Sequence, residues 1–312
     1  MSKLTATLFI IFLAAATQAQ TPRSVKDFNE RASERYARGD FDGAIADFTQ
    51  IIEMSSRPWV KGDPLRNNWS SGDGPVGADE ASDRAMVLDP RAASAYVNRG
   101  IVRLAKGDID DAVSDFDRAL AIRPGLVSAY YARAAAWLDK GDTGRAFADY
   151  DKSLRLDPRF ADGYAGRGNA RLAAGDREGA FADYERALAL APRSAVAYFS
   201  RGDARRRTGD AAGAVADFER AMALDPRRTE PYCGRGLLRL AARDLAGAIA
   251  DFTKALDLDG RLVRAYANRG LAFMLQGKDE EAERDFSRAL ALAPWLRADV
   301  EARVRTVKML RR

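Results

Sequence analysis

Apolar residues recur along this chain in two stripes, each at helical spacing, and each ended by a glycine or a proline. Counting slots from Val25 in steps of 34, the fourth slot is aromatic: Phe28, Tyr96, Tyr130, Tyr164, Tyr198, Tyr232 and Tyr266. The eighth is small (Ala32, Gly100, Ala134, Gly168, Gly202, Gly236, Gly270), and the twentieth is alanine throughout, from Ala44 and Ala78 to Ala282. The twenty-fourth is aromatic again, at Phe48, Phe116, Tyr150, Tyr184, Phe218, Phe252 and Phe286. Slots 4, 8 and 11 share one helical face, as do slots 20, 24 and 27, so each period predicts two amphipathic helices. Small residues at slots 8 and 20 predict that the two approach closely. Glycine at slot 15, as at Gly107 and Gly141, ends the first helix in a left-handed conformation, and the aspartate after it caps the second. Proline at slot 32, from Pro90 to Pro294, stops the second helix. A fixed period of this size predicts an all-α solenoid of antiparallel helix pairs.

One stretch breaks the pattern. Residues 57–75, RPWVKGDPLRNNWSSGDGP, put three prolines and several glycines where the first helix of the second slot should stand. The count survives, because GADEASDRAMVLDP from Gly77 aligns slot for slot with GAVADFERAMALDP from Gly213. Residues 25–296 therefore divide into eight slots, with the second, 59–92, lacking its first helix. Trp59, Leu65 and Trp69 plug the gap this leaves, or belong to a loop through which Trp59 and Trp69 contact a partner, or the stretch is disordered.

The period, the aromatic slots 4 and 24, the small slots 8 and 20 and the proline at slot 32 together resemble the tetratricopeptide repeat, over residues 25–296. The resemblance implies a right-handed superhelix with a concave groove, serving as a protein- or peptide-binding scaffold. Residues 297–312, RADVEARVRTVKMLRR, look like the polar-faced capping helix that closes such arrays. In this family the groove is walled by slots 2, 5, 6, 9, 12 and 13 of the first helices. Here those slots include Val97, Asn98, Ile101, Tyr131, Asn169, Phe199, Asp203, Arg206, Arg207 and Asn268. The lysine–asparagine clamp of chaperone-binding members is missing: Asn169 is present, but Ala165 stands where the lysine would be. Asn98 and Asn268 are candidate clamps for a peptide backbone, since a carboxamide both donates and accepts.

Slot 7 is arginine at Arg31, Arg99, Arg133, Arg167, Arg201, Arg235 and Arg269; slot 23 is aspartate at Asp47, Asp115, Asp149, Asp183, Asp217, Asp251 and Asp285. Both vanish together in the broken slot, as Leu65 and Ala81, which predicts that they pair within a repeat. Composition narrows the chemistry. The chain has no histidine and one cysteine, Cys233, so no Ser-His or Cys-His nucleophile pair and no His/Cys metal site can form within it. A net charge of +5, from 50 basic and 45 acidic residues, is too balanced for an obvious nucleic-acid binder. The expectation is a non-enzyme without cofactor or metal, binding a protein or peptide, with homo-oligomerisation left open. Lys3, the apolar run 4–16 and Ala19 read as a signal peptide over residues 1–19. That predicts a periplasmic or secreted scaffold of the bacterial cell envelope without a stable membrane span. An uncleaved inner-membrane anchor is the alternative for location, and an accessory or regulatory subunit of an envelope enzyme complex the alternative for function.

Overall fold

The computed structural model describes residues 24–56 and 90–310. Residues 1–19, read from the sequence as a signal peptide, and most of the broken slot, with Trp59 and Trp69, lie outside the described residues. Two compact units divide the chain at Ala174 and Gly175. The first holds α1 (Val25–Ala37), α2 (Phe41–Ser55), α3 (Pro90–Lys106), α4 (Ile109–Ile122), α5 (Val127–Asp139), α6 (Thr143–Leu156) and α7 (Ala161–Ala173). The second holds α8 (Arg177–Leu190), α9 (Ala195–Thr208), α10 (Ala211–Leu224), α11 (Thr229–Ala241), α12 (Leu245–Leu258), α13 (Val263–Leu275) and α14 (Asp279–Leu292). A single 3-10 turn, Pro294–Leu296, then leads into α15 (Arg297–Leu310). The described residues contain no strand.

The punctuation read from the sequence acts as expected at most joints. Gly39, Gly107, Gly141, Gly175, Gly209 and Gly277 all have positive φ, and Arg243 takes the same left-handed conformation at φ 63° without the freedom of glycine. Asp40, Asp142, Asp176, Asp210 and Asp244 each accept a hydrogen bond from the backbone N–H three residues on, capping the second helices. Asp108 makes no such bond. Pro90 opens α3. Proline is well suited to that place, because the first helical N–H has no partner within the helix and φ is already helical.

In the first unit the slot-24 rings form the core: Phe48, Phe116 and Tyr150 are at most 3% exposed. Burying each such ring contributes roughly 1.5–3 kcal/mol. These rings also account for the small eighth slot. A Cβ added at Gly100 would lie 2.6 Å from the Phe116 ring, so the aromatic at slot 24, more than the alanine at slot 20, demands glycine there. Phe48, Ile51 and Ile52 of α2 share one cluster with Ala95 and Val102 of α3, so α3 packs directly on α2.

The second unit repeats the scheme around Tyr184, Phe218 and Phe252, each 0% exposed. It is closed by α15, whose Val300 packs with Ala267 and Ala289, and whose Val307 packs with Leu271, Met274 and Ala282. The other face of α15 is polar, with Arg303 paired to Asp299 and Arg297 to Glu301. Over its described residues α15 thus lays an apolar stripe on α13 and α14 and turns charged side chains outward.

Candidate functional site

Within each unit the first helices of successive hairpins touch: α3 with α5 and α5 with α7 in the first unit, α9 with α11 and α11 with α13 in the second. Each unit thus carries its own wall of first-helix faces. In the first unit, Val97 and Ile101 leave the set of wall residues expected from the sequence. They are 4% and 7% exposed and belong to the core with Phe116, Ala132 and Ala135, because α5 closes over those positions of α3. Asn98, Tyr131 and Asn169 are half-buried on the wall. Tyr131 is held edge-on by Phe160 at 5.2 Å and Tyr150 at 5.7 Å between ring centres, which fixes one aromatic surface in place.

In the second unit Phe199 is half-buried, with its ring centre 6.0 Å from that of Phe218 beneath. Asp203 accepts from Arg206 Nε at 3.0 Å and Nη2 at 2.7 Å, so these two charges largely cancel. Arg207, the next residue, is exposed and has no ion-pair partner among the described residues. Asn268 is engaged by the closing helix: its Oδ1 accepts from Arg303 Nη1 at 3.3 Å. In the last repeat α15 stands where a further first helix would come, and this takes up the acceptor that a peptide would need. Sequence reasoning missed Leu237 and Leu240 of α11. They occupy wall slots 9 and 12, and with Cys233 at slot 5 are half-buried apolar residues packed on the cluster of Ala248, Phe252 and Leu256 of α12 and Ala265 of α13. The slot arithmetic already contained them.

Models of the tetratricopeptide repeat match residues 66–127, 99–159 and 166–228, and a further one matches residues 263–295, together more than half of the chain. The chain belongs to the tetratricopeptide repeat family. Among solved structures, a tetratricopeptide repeat protein from Parabacteroides merdae ATCC 43184 is similar over 91% of this chain and 98% of its own, at 18% identity and a TM-score of 0.56. The APC/C hetero-tetramer Cut9-Hcn1 is similar over 90% of this chain and 56% of its own, at 18% identity and a TM-score of 0.59. PilW, a type IV pilus biogenesis factor, is similar over 65% of this chain and 94% of its own, at 18% identity and a TM-score of 0.52. No curated protein matches. A tetratricopeptide repeat fold is a scaffold for protein–protein or peptide binding, and proteins of this family are generally non-catalytic.

The charged slots of the repeat are structural. Arg99 donates to Asp115 from Nε at 2.9 Å and Nη2 at 2.7 Å, and Arg133 to Asp149, Arg201 to Asp217, Arg235 to Asp251 and Arg269 to Asp285 in the same two-pronged way. Two partners went unread in the sequence. A second arginine one turn on, at Arg103, Arg205 and Arg239, also donates to the aspartate. The slot-7 arginine itself reaches back to slot 25 of the preceding repeat, as Arg133 does to Asp117 at 2.6 Å and Arg201 to Glu185 at 2.6 Å. The hydrogen bonds that Arg133 donates to Asp149 raise its pKa against the lowering effect of its burial. Arg99 also lies over the Tyr96 ring, 5.3 Å from its centre, so the aromatic slot 4 packs beneath the ladder. These arginines are committed to the stack and are not available to a ligand.

Cys233 is a filler. Burial, followed by the carboxylates of Glu230, Asp251 and Asp259, pushes its thiol up to about 12, which keeps it protonated and unreactive. Among the described residues no cluster of His, Cys, Asp and Glu could hold a metal ion, and no helix is long and apolar enough to cross a membrane.

Proposed function

We propose that this chain is a non-catalytic scaffold of the bacterial cell envelope that binds an extended peptide or a protein segment along its first-helix walls. The observation that carries the reading is the α9–α11 face of the second unit. There the half-buried rings of Phe199 on α9 and Tyr232 on α11 pack around Phe218, and Arg207 stands in solvent without an ion-pair partner among the described residues. Such a face suits a ligand with apolar anchors and an acidic flank, because aromatic and arginine side chains supply most of the affinity at protein interfaces. In the first unit Asn98, Tyr131 and Asn169 are the corresponding contacts. Export rests on the sequence alone, on Lys3, the short apolar run and Ala19.

The test places a photo-crosslinking amino acid at Arg207 in the native host and identifies the captured chain. Binding of that partner is then measured with Phe199→Ala and Arg207→Glu, against Lys254→Glu on an exposed position of α12. Wall substitutions should weaken binding by about 2 kcal/mol each while Lys254→Glu changes little. Equal weakening by all three overturns the wall as the site. An enzymatic activity of the captured complex that rises on adding this chain would favour the accessory-subunit reading instead.

A further inference from the structure

The join between α2 and α3 behaves as a contact between adjacent repeats, although a whole period of sequence separates them. Three observations agree. Arg99 of α3 donates through Nη1 to Thr49 Oγ1 of α2 at 2.9 Å, across 50 positions, whereas Arg133 to Asp117 and Arg269 to Thr253 span 16. The difference is one period, and Thr49, Asp117 and Thr253 all occupy slot 25. Lys106 Nζ donates to Asp42 Oδ1 at 2.8 Å across 64 positions, and the equivalent pair Lys140 and Asp110 spans 30. The cores match as well. Phe48, Ile51 and Ile52 meet Ala95 and Val102, and in the next join the same slots supply Phe116, Ala119 and Leu120 against Ala129 and Ala136.

From this register we infer that α1–α2 and α3–α4 are immediate neighbours in the stack. In the first unit the described stack therefore passes from α2 directly to α3, and the stretch between Ser56 and Arg91 leaves the array's phase unchanged. The hairpin α1–α2 thus meets α3–α4 through α2 and α3, as neighbouring repeats do. The bulk at the join supports the point. Ile51 and Val102 occupy slots that hold Ala119 and Ala136 in the following join, so the α2–α3 interface is filled by its own side chains. The phase is kept because the intervening length equals the period. Removing residues 57–90 would put Ser56 at slot 32 and Arg91 at slot 33, the places held by Pro158 and Arg159 elsewhere.

The intact chain tests this with a zero-length carbodiimide crosslinker, which joins a lysine amine to a carboxylate already in contact with it. The expected products within a single chain are Lys106–Asp42 and, as internal control, Lys140–Asp110, identified by mass spectrometry of the digested protein. A hairpin between α2 and α3 would add two helix layers, roughly 18 Å, and abolish the first product while sparing the second. Recovery of Lys140–Asp110 without Lys106–Asp42 overturns the inference. A variant lacking residues 57–90 gives an independent check. It should keep the Lys106–Asp42 product and melt within about 3 °C of the full chain. Release of residues 24–56 to limited proteolysis in that variant, with the remainder still folded, would equally sink it.

Discussion

Asp115→Ala is the sharpest test of the charged ladder. Asp115 is 1% exposed and accepts three hydrogen bonds, two from Arg99 and one from Arg103 Nη1 at 2.7 Å. The Arg99 side chain is only 8% exposed, whereas that of Arg103 is 21% exposed and can recruit water. Removing the carboxylate therefore strands one guanidinium in the core, with Thr49 as its remaining hydrogen-bond acceptor. Breaking a buried pair from one side costs about 3–5 kcal/mol, chiefly through the uncompensated charge that remains. Replacing both partners should cost less, so Asp115→Ala with Arg99→Met should be more stable than Asp115→Ala alone by about 2 kcal/mol. Urea unfolding followed by circular dichroism at 222 nm reads both. At slopes of about 1–3 kcal/mol/M a loss of this size lowers the midpoint by about 1 M or more, and the shift shrinks as the slope rises with size. Because a repeat array can unfold in segments, midpoints are compared at matched protein concentration and no single global free energy is assumed. A midpoint shift below about 0.3 M for Asp115→Ala, or a double variant weaker than the single one, would refute the ladder as a buried, coupled network.

Arg243→Gly should raise the melting temperature of the second unit, because it relieves a left-handed non-glycine residue and stabilises by up to about 1 kcal/mol; a lower melting temperature would contradict this. Gly100→Ala should destabilise by about 1–3 kcal/mol, since its Cβ meets the Phe116 ring at 2.6 Å, and an unchanged unfolding midpoint would show that the ring can move aside. With its pKa pushed up to about 12, the Cys233 thiol should stay protonated at pH 8 and label on the order of a thousandfold more slowly in the folded chain than in urea. That protection should lessen only as pH rises toward the raised value, and fast labelling at pH 8 would show the thiol to be exposed. Truncation after Leu296 uncovers Leu271, Met274 and Ala282, and should produce aggregation detectable by light scattering.

The sequence by itself determined the repeat. Its period, the aromatic and small slots, the left-handed glycines and the capping aspartates are local requirements of helix ends and helix faces, and each of them can be read one turn at a time. The pairing of slot 7 with slot 23 was legible for a related reason: both were lost together in one place. Other features depended on which helix covers which. Val97 and Ile101 occupy wall slots yet are buried, because α5 closes over that part of α3, and slot number alone cannot say how far a neighbour leans. Asn268 lost its free acceptor only because α15 folds back onto α13. Arg103 and the slot-25 acceptors entered the ladder through contacts between helices, which no single helix pattern encodes. The broken slot shows the difference most clearly: its phase is written in the sequence, but α2 packs on α3 because complementary apolar faces meet in three dimensions, whatever length of chain joins them.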